Sequence, residues 1–288
     1  MSYQNILEIQ GLCKQYAGFA LDDVTFSVPA GSIMGLIGEN GAGKTTIIKL
    51  ILNLVRRNAG SIRVFGQDNI TDEKEIKSQL GVVLDESSFH ETLCARDIAI
   101  ILRNIYKGQW DDRLYRTYLD RFSLPDTKVV KDYSRGMKMK LSIAAALSHH
   151  PRLLILDEAT GGLDPVVRSE ILDVFFDFIQ DESHAVLMSS HITTDLEKVA
   201  DYITFISSGK ILFSDTKDSI LEHYGVVKCS ENQSDRLDSS YIVSKRKNSF
   251  GCEALTNDRR QLKARHPELT VDNATLDDIM LFYSKGVK

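Results

Sequence analysis

Apolar and polar residues alternate along the first 30 positions of the chain, where Leu7 and Ile9, and later Val24, Phe26 and Val28, mark one face. Successive side chains of a strand point to opposite faces, so a period of two predicts antiparallel strands that pack on one side. We therefore expect the chain to begin with a small antiparallel sheet.

Two later runs, at residues 153–156 and 185–188, are short and almost wholly apolar. Strands without alternation are typical of a central parallel sheet that is covered on both faces. The stretch between them, residues 166–179, is interpreted as a crossover helix. Together these elements predict an α/β fold.

The segment of about residues 88–150 has helical periodicity instead. Leu114, Tyr118 and Phe122 are spaced by four residues, as on one face of a helix. We interpret this segment as a helical subdomain inserted into the sheet domain.

From about residue 215 the sequence is more polar and less regular, and helical spacing returns only at the end. The basic run at residues 245–247 is interpreted as a solvated turn, with a contact to anionic lipid or a partner as the alternative. Four apolar residues then follow helical spacing behind Thr275: Leu276, Ile279, Met280 and Tyr283. These patterns predict a main domain of residues 3–214 and a small α+β C-terminal extension of residues 215–288.

The charge balance and the cysteines narrow the function classes. The 35 Lys and Arg residues against 40 Asp and Glu residues give a net charge of −5, which gives no reason to expect nucleic-acid binding. The four cysteines form no C-x-x-C pair and no metal-ligand spacing, which fits a reducing cytoplasm. Neither a secretory signal nor a run of 18 apolar residues is visible. We therefore expect any membrane part to be supplied by another chain.

A glycine-rich segment carries the clearest chemistry. Residues 38–45 are G-E-N-G-A-G-K-T, a full match to the phosphate-loop pattern G-x-x-x-x-G-K-[ST], between an apolar run and a helical stretch. Lys44 would reach the β- and γ-phosphates of a nucleoside triphosphate, and the Thr45 hydroxyl would bind Mg²⁺. The residues expected to surround the triphosphate are Gly38, Glu39, Asn40, Gly41, Ala42, Gly43, Lys44, Thr45 and Thr46.

A second motif ends the apolar run at residues 153–156 with two acids, Asp157 and Glu158. Open α/β sheets bind ligands at the carboxyl ends of their strands, which would bring Asp157 to the Mg²⁺. Glu158 would polarise a water molecule for attack on the γ-phosphate. The alternative is that the two acids only terminate a strand. This alternative is less favoured in a chain that also has a phosphate loop.

A third motif, residues 133–138, reads Y-S-R-G-M-K and precedes a helical stretch. Ser134 and Gly136 stand where that helix would begin, with a hydroxyl and free N–H groups available to an anion. Local physics alone favours an ordinary helix cap here, and only the order of the motifs along the chain argues for a functional role.

The motifs follow one another along the chain as a phosphate loop, a serine-glycine helix start, an L-L-I-L-D-E strand, G-G-L-D and S-S-H. This order resembles that of the ATP-binding cassette (ABC) ATPases over about residues 3–214. The resemblance implies a P-loop NTPase fold and an ATPase that uses ATP and Mg²⁺. It implies that Asp164 contacts a second subunit, that the catalytic histidine His191 contacts the γ-phosphate, and that Tyr16 stacks on adenine. It further implies that four residues complete the ATP site of the opposite subunit: Ser134, Arg135, Gly136 and Met137.

Two residues depart from the family pattern. Asp85 stands where the family usually has a glutamine, so a carboxylate would face the metal; it could strengthen metal binding, yet it would repel the γ-phosphate. Arg135 replaces the first of two adjacent glycines. It either adds a positive charge near the γ-phosphate in trans, as an arginine finger does, or points away to a surface acid.

The Y-S-R-G-M-K and V-L-D-E segments, with the T-L-D-D-I-M tail, resemble the single-cassette subunits of bacterial exporters of peptides, antibiotics or toxins. This resemblance implies two partners: an integral membrane permease subunit, and a second copy or a paralogous ATPase subunit. It also implies a location on the cytoplasmic face of the cell membrane. The alternatives are an importer subunit and, less favoured by composition and charge, a cassette ATPase acting on ribosomes or DNA.

Overall fold

The computed structural model describes residues 4–84, 89–234, 237, 240–248 and 251–285. The strands are β1 (Asn5–Tyr16), β2 (Phe19–Pro29), β3 (Ser32–Ile37), β4 (Ala59–Val64), β5 (Gln67–Asp68), β6 (Leu80–Val83), β7 (Leu153–Asp157), β8 (Ala185–Ser190), β9 (Tyr202–Ser207), β10 (Lys210–Thr216), β11 (Gly225–Cys229), β12 (Ile242–Asn248), β13 (Gly251–Thr256) and β14 (Thr270–Asn273). The helices are α1 (Lys44–Ile51), α2 (Glu73–Ser78), α3 (Ala95–Ile105), α4 (Asp112–Arg121), α5 (Arg135–Leu147), α6 (Pro165–Phe178), α7 (Thr193–Val199), α8 (Lys217–His223), α9 (Glu231–Ser234), α10 (Arg259–Arg265) and α11 (Leu276–Lys285).

A six-stranded sheet in the order β10-β9-β3-β8-β7-β6 forms the centre of the molecule. All its neighbouring strands are parallel except β10, which forms an antiparallel hairpin with β9. Every residue of β3, β7 and β8 is buried, as the apolar runs predicted for strands covered on both faces. Because β3, β6, β7 and β8 are parallel, their carboxyl ends lie at one edge of the sheet, and the segments that follow them meet there.

The N-terminal residues form a second sheet in the order β2-β1-β4-β5, which is antiparallel throughout. Leu7 and Ile9 are buried against the core, as the alternation predicted. The turn between β9 and β10 joins this sheet to the central one, because Gly209 accepts a hydrogen bond from Asp22 N at 3.0 Å and donates one to Ala42 O at 3.0 Å.

Between β6 and β7 the described residues form the helices α3 to α5, with a 3₁₀ turn at Val130–Asp132. Tyr115 and Leu119 of α4 and Met139 of α5 are buried in one core with the central sheet. Within the described ranges, none of the helices has the length and apolar character of a bilayer-spanning segment. The α/β fold with an antiparallel sheet and a helical segment is confirmed.

The last part of the chain adds an antiparallel sheet in the order β12-β13-β11-β14, with helices α8 to α11 around it. The basic run at residues 245–247 lies in β12, an edge strand, so its interpretation as a turn was wrong. The predicted cap of α11 is present: Thr275 N donates to Asp278 Oδ2 at 3.0 Å, and Asp278 N donates to Thr275 Oγ1 at 3.1 Å.

The C-terminal part has a small core of its own and also contributes to the core of the main domain. Leu276, Ile279 and Phe282 of α11 belong to the same buried cluster as Leu196 of α7 and Phe205 of β9. β10 ends at residue 216 and α8 begins at residue 217, so no linker separates the two parts. The extension therefore packs as a continuation of the main domain.

Candidate functional site

The phosphate loop connects the end of β3 to the start of α1, as the sequence predicted. Gly43 has a φ of 119°, and a Cβ there would lie 2.6 Å from Leu21 Cδ2 and 3.1 Å from Phe19 Cζ. Any larger residue would push the loop off β2, so glycine is required on both conformational and steric grounds. The loop is thus fixed closely against the antiparallel sheet, with the start of α1 as an anion-binding N-terminus.

Lys44 is the only charged residue of the loop that is nearly buried, at 6% exposure. Its ammonium donates to Gly38 O at 2.7 Å and to Glu39 O at 3.2 Å, and lies 3.4 Å from Glu158 Oε1. The loop carbonyls curl the side chain back over the loop. A positive charge at this point can bind the terminal phosphates of a nucleotide.

Asp157 is the last residue of β7 and is 5% exposed. Its Oδ1 accepts a hydrogen bond of 2.6 Å from Ser189 Oγ, and Ser189 Oγ in turn accepts one of 3.1 Å from Glu158 N. Ser189, which is fully buried on β8, therefore orients both acids. In the sequence it was only part of the S-S-H motif and not a candidate site residue; its role follows from the pairing of β8 with β7, which the structure provides.

Glu158 has a left-handed backbone, with a φ of 54°. A non-glycine residue in this region is uncommon and often marks a functional position. Its Oε2 accepts a hydrogen bond of 2.5 Å from His191 Nδ1 and one of 3.3 Å from His191 N, while Oε1 faces Lys44. The predicted catalytic residues Lys44, Glu158 and His191 are therefore brought together at the carboxyl edge of the sheet.

The oxygen ligands available for a cation are the Thr45 hydroxyl, exposed in the first turn of α1, and the Asp157 carboxylate. No group of three or more His, Cys, Asp or Glu side chains placed to hold a metal occurs among the described residues. Mg²⁺ usually binds through one or two protein oxygens plus phosphates and waters, so this small hard donor set fits it. The third predicted ligand, Asp85, lies outside the described residues.

Ser134 caps α5, and its Oγ accepts a hydrogen bond of 3.2 Å from Met137 N. Next to it, the Arg135 guanidinium lies on the loop that follows Glu158: a Cβ on Gly162 would be 2.7 Å from Arg135 Nη1. A Cβ on Gly161 would be 3.9 Å from both Arg135 Nη2 and His191 Cε1. Arg135 thus contacts its own chain close to the catalytic residues. Its two alternative roles stay predictions.

Asp164 acts as the N-cap of α6, since its Oδ1 accepts hydrogen bonds from Val166 N and Val167 N at 3.1 and 3.0 Å. Tyr16 is 42% exposed at the end of β1 and pairs with Phe19, the residue whose ring approaches Gly43. Tyr16 is therefore paired in the sheet with a residue that packs on the phosphate loop. The predicted dimer contact of Asp164 and adenine contact of Tyr16 stay predictions.

A separate cavity of about 150 Å³ lies between β6, α3 and α5. Apolar residues surround it, and His149 and Tyr106 form a stacked pair in its wall with ring centroids 3.8 Å apart. His149 Nε2 donates to Leu80 O at 2.9 Å, and burial lowers the pKa of His149 to about 4. The ring is therefore neutral at physiological pH.

A phosphate loop after one buried strand, with two acids at the end of another parallel strand of the same sheet, is the site of a P-loop nucleoside triphosphatase. The sequence profile of the family described as "ABC transporter" matches residues 21–161. The bacitracin transport ATP-binding protein BcrA of Bacillus licheniformis is 34% identical over 212 residues, which cover 72% of this chain and 68% of that protein. The chain belongs to the ABC transporter family, as an ATP-binding subunit that hydrolyses ATP to drive transport.

Two further relatives carry names with a transport or resistance function. The lantibiotic transport ATP-binding protein SrtF of Streptococcus pyogenes is 32% identical over 84% of this chain and all of its own. The daunorubicin/doxorubicin resistance ATP-binding protein DrrA of Streptomyces peucetius is 32% identical over 76% of this chain and 68% of its own. A solved ATP-binding subunit of an ABC transporter superposes with a TM-score of 0.68 at 27% identity, covering 75% of this chain and 91% of that one.

Proposed function

We propose that this chain powers the export of a peptide, antibiotic or toxin through a separate membrane subunit. The observation that carries the proposal is the cluster of Lys44, Asp157, Glu158 and His191 at one sheet edge in a chain whose relatives are named for bacitracin and lantibiotic transport. The cluster supplies the ATPase chemistry, and the relatives supply the substrate class.

ATP binds with its triphosphate in the loop of residues 38–45, where Lys44 and backbone N–H groups neutralise the phosphate charge. Thr45 and Asp157 hold Mg²⁺, which supplies further neutralisation of the charge that develops on the phosphates. Tyr16 covers the adenine. Ser189 keeps Asp157 in the orientation that this role needs.

Glu158 is the general base of hydrolysis. Its carboxylate is shared between Lys44 at 3.4 Å and His191 at 2.5 Å. A γ-phosphate competes with Glu158 for both of these partners, because a phosphate carries more negative charge than a carboxylate. ATP binding therefore releases Glu158 to accept a proton from the attacking water, while His191 turns to the phosphate.

Two ATPase subunits, identical or paralogous, bind two ATP molecules between the phosphate loop of one and the helix start at residues 134–137 of the other. Asp164 lies at the contact between them. The support for this arrangement is family resemblance, together with the exposed position of Ser134 at the start of α5. Hydrolysis at Glu158 then reopens the pair.

The membrane subunit docks at the groove formed by the cavity beside His149 and by the exposed apolar residues of α3. Ile105 is 64% exposed and Ile101 is 43% exposed on that helix. Exposed isoleucines beside an apolar cavity favour a contact with an apolar helix of the partner. Residues 85–88, which follow β6 in the sequence, lie outside the described residues.

The test is an assay of ATP-dependent transport in vesicles that contain this chain together with its membrane subunit. Export predicts that labelled peptide accumulates inside inside-out vesicles when ATP is added, and that Glu158→Gln abolishes accumulation. Uptake only into right-side-out vesicles loaded with ATP would instead establish an importer.

The docking site is tested by Ile105→Glu, which we expect to lower the amount of chain bound to such vesicles at least fivefold and to leave its own ATPase activity unchanged. Leu212→Glu is the matched control, since Leu212 is a 43% exposed residue on β10. Equal binding of the two variants would contradict the proposed groove.

A further inference from the structure

The C-terminal extension contacts the part of the chain that carries the catalytic histidine. His191 is followed, after one residue, by the short helix α7. The face of α7 with Leu196 and Val199 packs in one buried cluster with Leu276 and Ile279 of α11. The position of α7, and with it the backbone at His191, therefore depends on residues about 80 positions later in the chain.

Polar contacts between α7 and the extension accompany this packing, and Glu197 of α7 makes two of them. Its side-chain Oε1 accepts a hydrogen bond of 2.7 Å from Leu276 N, at the first turn of α11. Its backbone oxygen accepts one of 2.8 Å from Lys217 Nζ, at the start of α8. A carboxylate on the free N–H groups of a helix start is favourable, so both ends of the extension are held by the same residue of α7.

The amino end of α7, nearer to His191, has its own contacts. Thr193 Oγ1 lies 3.5 Å from Asp277 Oδ1 of α11. On the opposite side, Asp195 is 1% exposed and lies 3.5 Å from Arg168 Nη1 of α6. The Asp195 carboxylate has no hydrogen-bond partner within the described part of the chain. The hydrogen bond of Glu197 Oε1 with Leu276 N, at 2.7 Å, is shorter than either of these contacts.

The outer sheet of the extension is in turn fixed to α11. Ser244 Oγ of β12 donates to Phe282 O at 2.9 Å, and the Arg246 guanidinium lies 5.6 Å from the Phe282 ring centroid. Packed, hydrogen-bonded contacts thus continue from β12 through α11 to α7. A shift in the position of the extension would therefore also shift the position of α7.

We propose that the C-terminal extension positions His191 for ATP hydrolysis by fixing α7 through Glu197. Glu197 is a positioning residue: it touches neither nucleotide nor metal and acts through the helix that follows His191. The proposal rests on the proposed role of His191 at the γ-phosphate. It gives the extension a part in the ATPase reaction itself.

The first test is Glu197→Ala in the full chain with Mg·ATP. Misplacing a catalytic group by about 1 Å can reduce turnover up to about a hundredfold, so we expect kcat to fall at least about tenfold. The KM for ATP should stay within about twofold, because Lys44 and the phosphate loop are untouched. Glu197→Gln keeps an acceptor oxygen for Leu276 N and should recover kcat to within about threefold of wild type.

Glu222→Ala is the matched control, because Glu222 is an exposed acid of the extension whose ion-pair partner among the described residues is Arg260 of α10. It should leave kcat and KM unchanged. A wild-type kcat for Glu197→Ala, or a rise of KM in parallel with the loss of kcat, would overturn the proposal.

If Glu197→Ala does not fold, the exposed Asp277 provides the second variant. Asp277→Ala should lower kcat about threefold, the effect of one weak hydrogen bond, and should speed amide hydrogen exchange at residues 191–199. No change in either quantity would overturn the proposal.

A comparison with His191→Ala separates this inference from the proposed function. If His191→Ala keeps its turnover, the role of His191 is wrong. If His191→Ala is inactive and Glu197→Ala is fully active, only the role of the extension is wrong. If both act by one route, adding Glu197→Ala to His191→Ala should lower kcat no further.

Discussion

Lys44 Nζ and Glu158 Oε1 are 3.4 Å apart, although one belongs to the phosphate loop after β3 and the other to the segment after β7. The intervening strand β8 supplies the residue that makes this approach possible, since Ser189 binds the backbone N–H of Glu158. Lys44, the residue proposed to bind phosphate, is thus in direct contact with Glu158, the residue proposed to activate water.

Glu158→Gln should reduce kcat at least about a hundredfold, because an amide cannot accept the proton of the attacking water. ATP affinity should be retained, since Lys44 and the loop are unchanged. With Mg·ATP the variant should run as a stable dimer on gel filtration. Glu182→Gln, on an exposed acid, is the control with normal turnover, and a monomeric Glu158→Gln variant would contradict the proposed dimer.

Ser189→Ala should remove the hydrogen bond to a buried carboxylate, Asp157. We expect a loss of about 1–3 kcal/mol in the free energy of unfolding and about tenfold in kcat. The Mg²⁺ concentration for half-maximal rate should rise, because Asp157 is no longer held. Ser183→Ala, which removes an exposed hydroxyl bonded to Asp181, should change none of these values. Unaltered Mg²⁺ dependence in Ser189→Ala would count against the role of Asp157.

Gly43→Ala and Gly41→Ala separate steric from conformational demands in the loop. Both glycines have positive φ, but a Cβ on Gly43 meets Leu21, whereas a Cβ on Gly41 meets no atom within 4 Å. Gly41→Ala should lose about 1–2 kcal/mol of stability from backbone strain. Gly43→Ala should lose more and should weaken ATP binding at least tenfold, measured by nucleotide titration. Equal effects would mean that β2 does not fix the loop.

His149 makes stability depend on pH. Its pKa is lowered to about 4 in the folded chain from about 6.5 in the unfolded chain. The unfolded chain therefore binds more protons between these values, so the free energy of unfolding falls as the pH falls from about 6.5 to 4. Between pH 7 and 5 the loss should be about 2 kcal/mol.

Denaturant unfolding at pH 7 and pH 5 measures this loss, and His149→Gln should show a smaller one. The neighbouring His150 is exposed and pairs with Asp111, so His150→Gln is the control that retains the wild-type dependence on His149. Identical pH slopes for wild type and His149→Gln would refute the assignment.

The sequence predicted the parts of the molecule whose signals are local. The signals for β7, for β8 and for the phosphate loop around Lys44 each come from residues that are neighbours in the sequence. The structure has both strands and the loop at the predicted positions. The four-stranded C-terminal sheet was not predicted beyond α+β content. Its strands are short, and their pairing connects residues far apart, such as Val227 with Val271.

The same limit applies to the site. Ser189 orients Asp157 across two strands, and Glu197 binds Leu276 over a separation of 79 residues. Such contacts have no periodicity or spacing that a single sequence could reveal. Arg135 was singled out because it departs from a motif, but its position against Gly162 follows only from how α5 approaches the loop after β7.

The shared core of the main domain and the extension makes the folding of each part depend on the other. With Leu276 and Phe282 in the same cluster as Leu196, cutting the chain after β10 would leave an apolar surface on α7 exposed to water. We therefore expect the full chain to melt in one cooperative transition, and a shortened chain to aggregate rather than to yield a smaller working enzyme. Damage in the last helix would then appear in a cell as loss of the whole subunit.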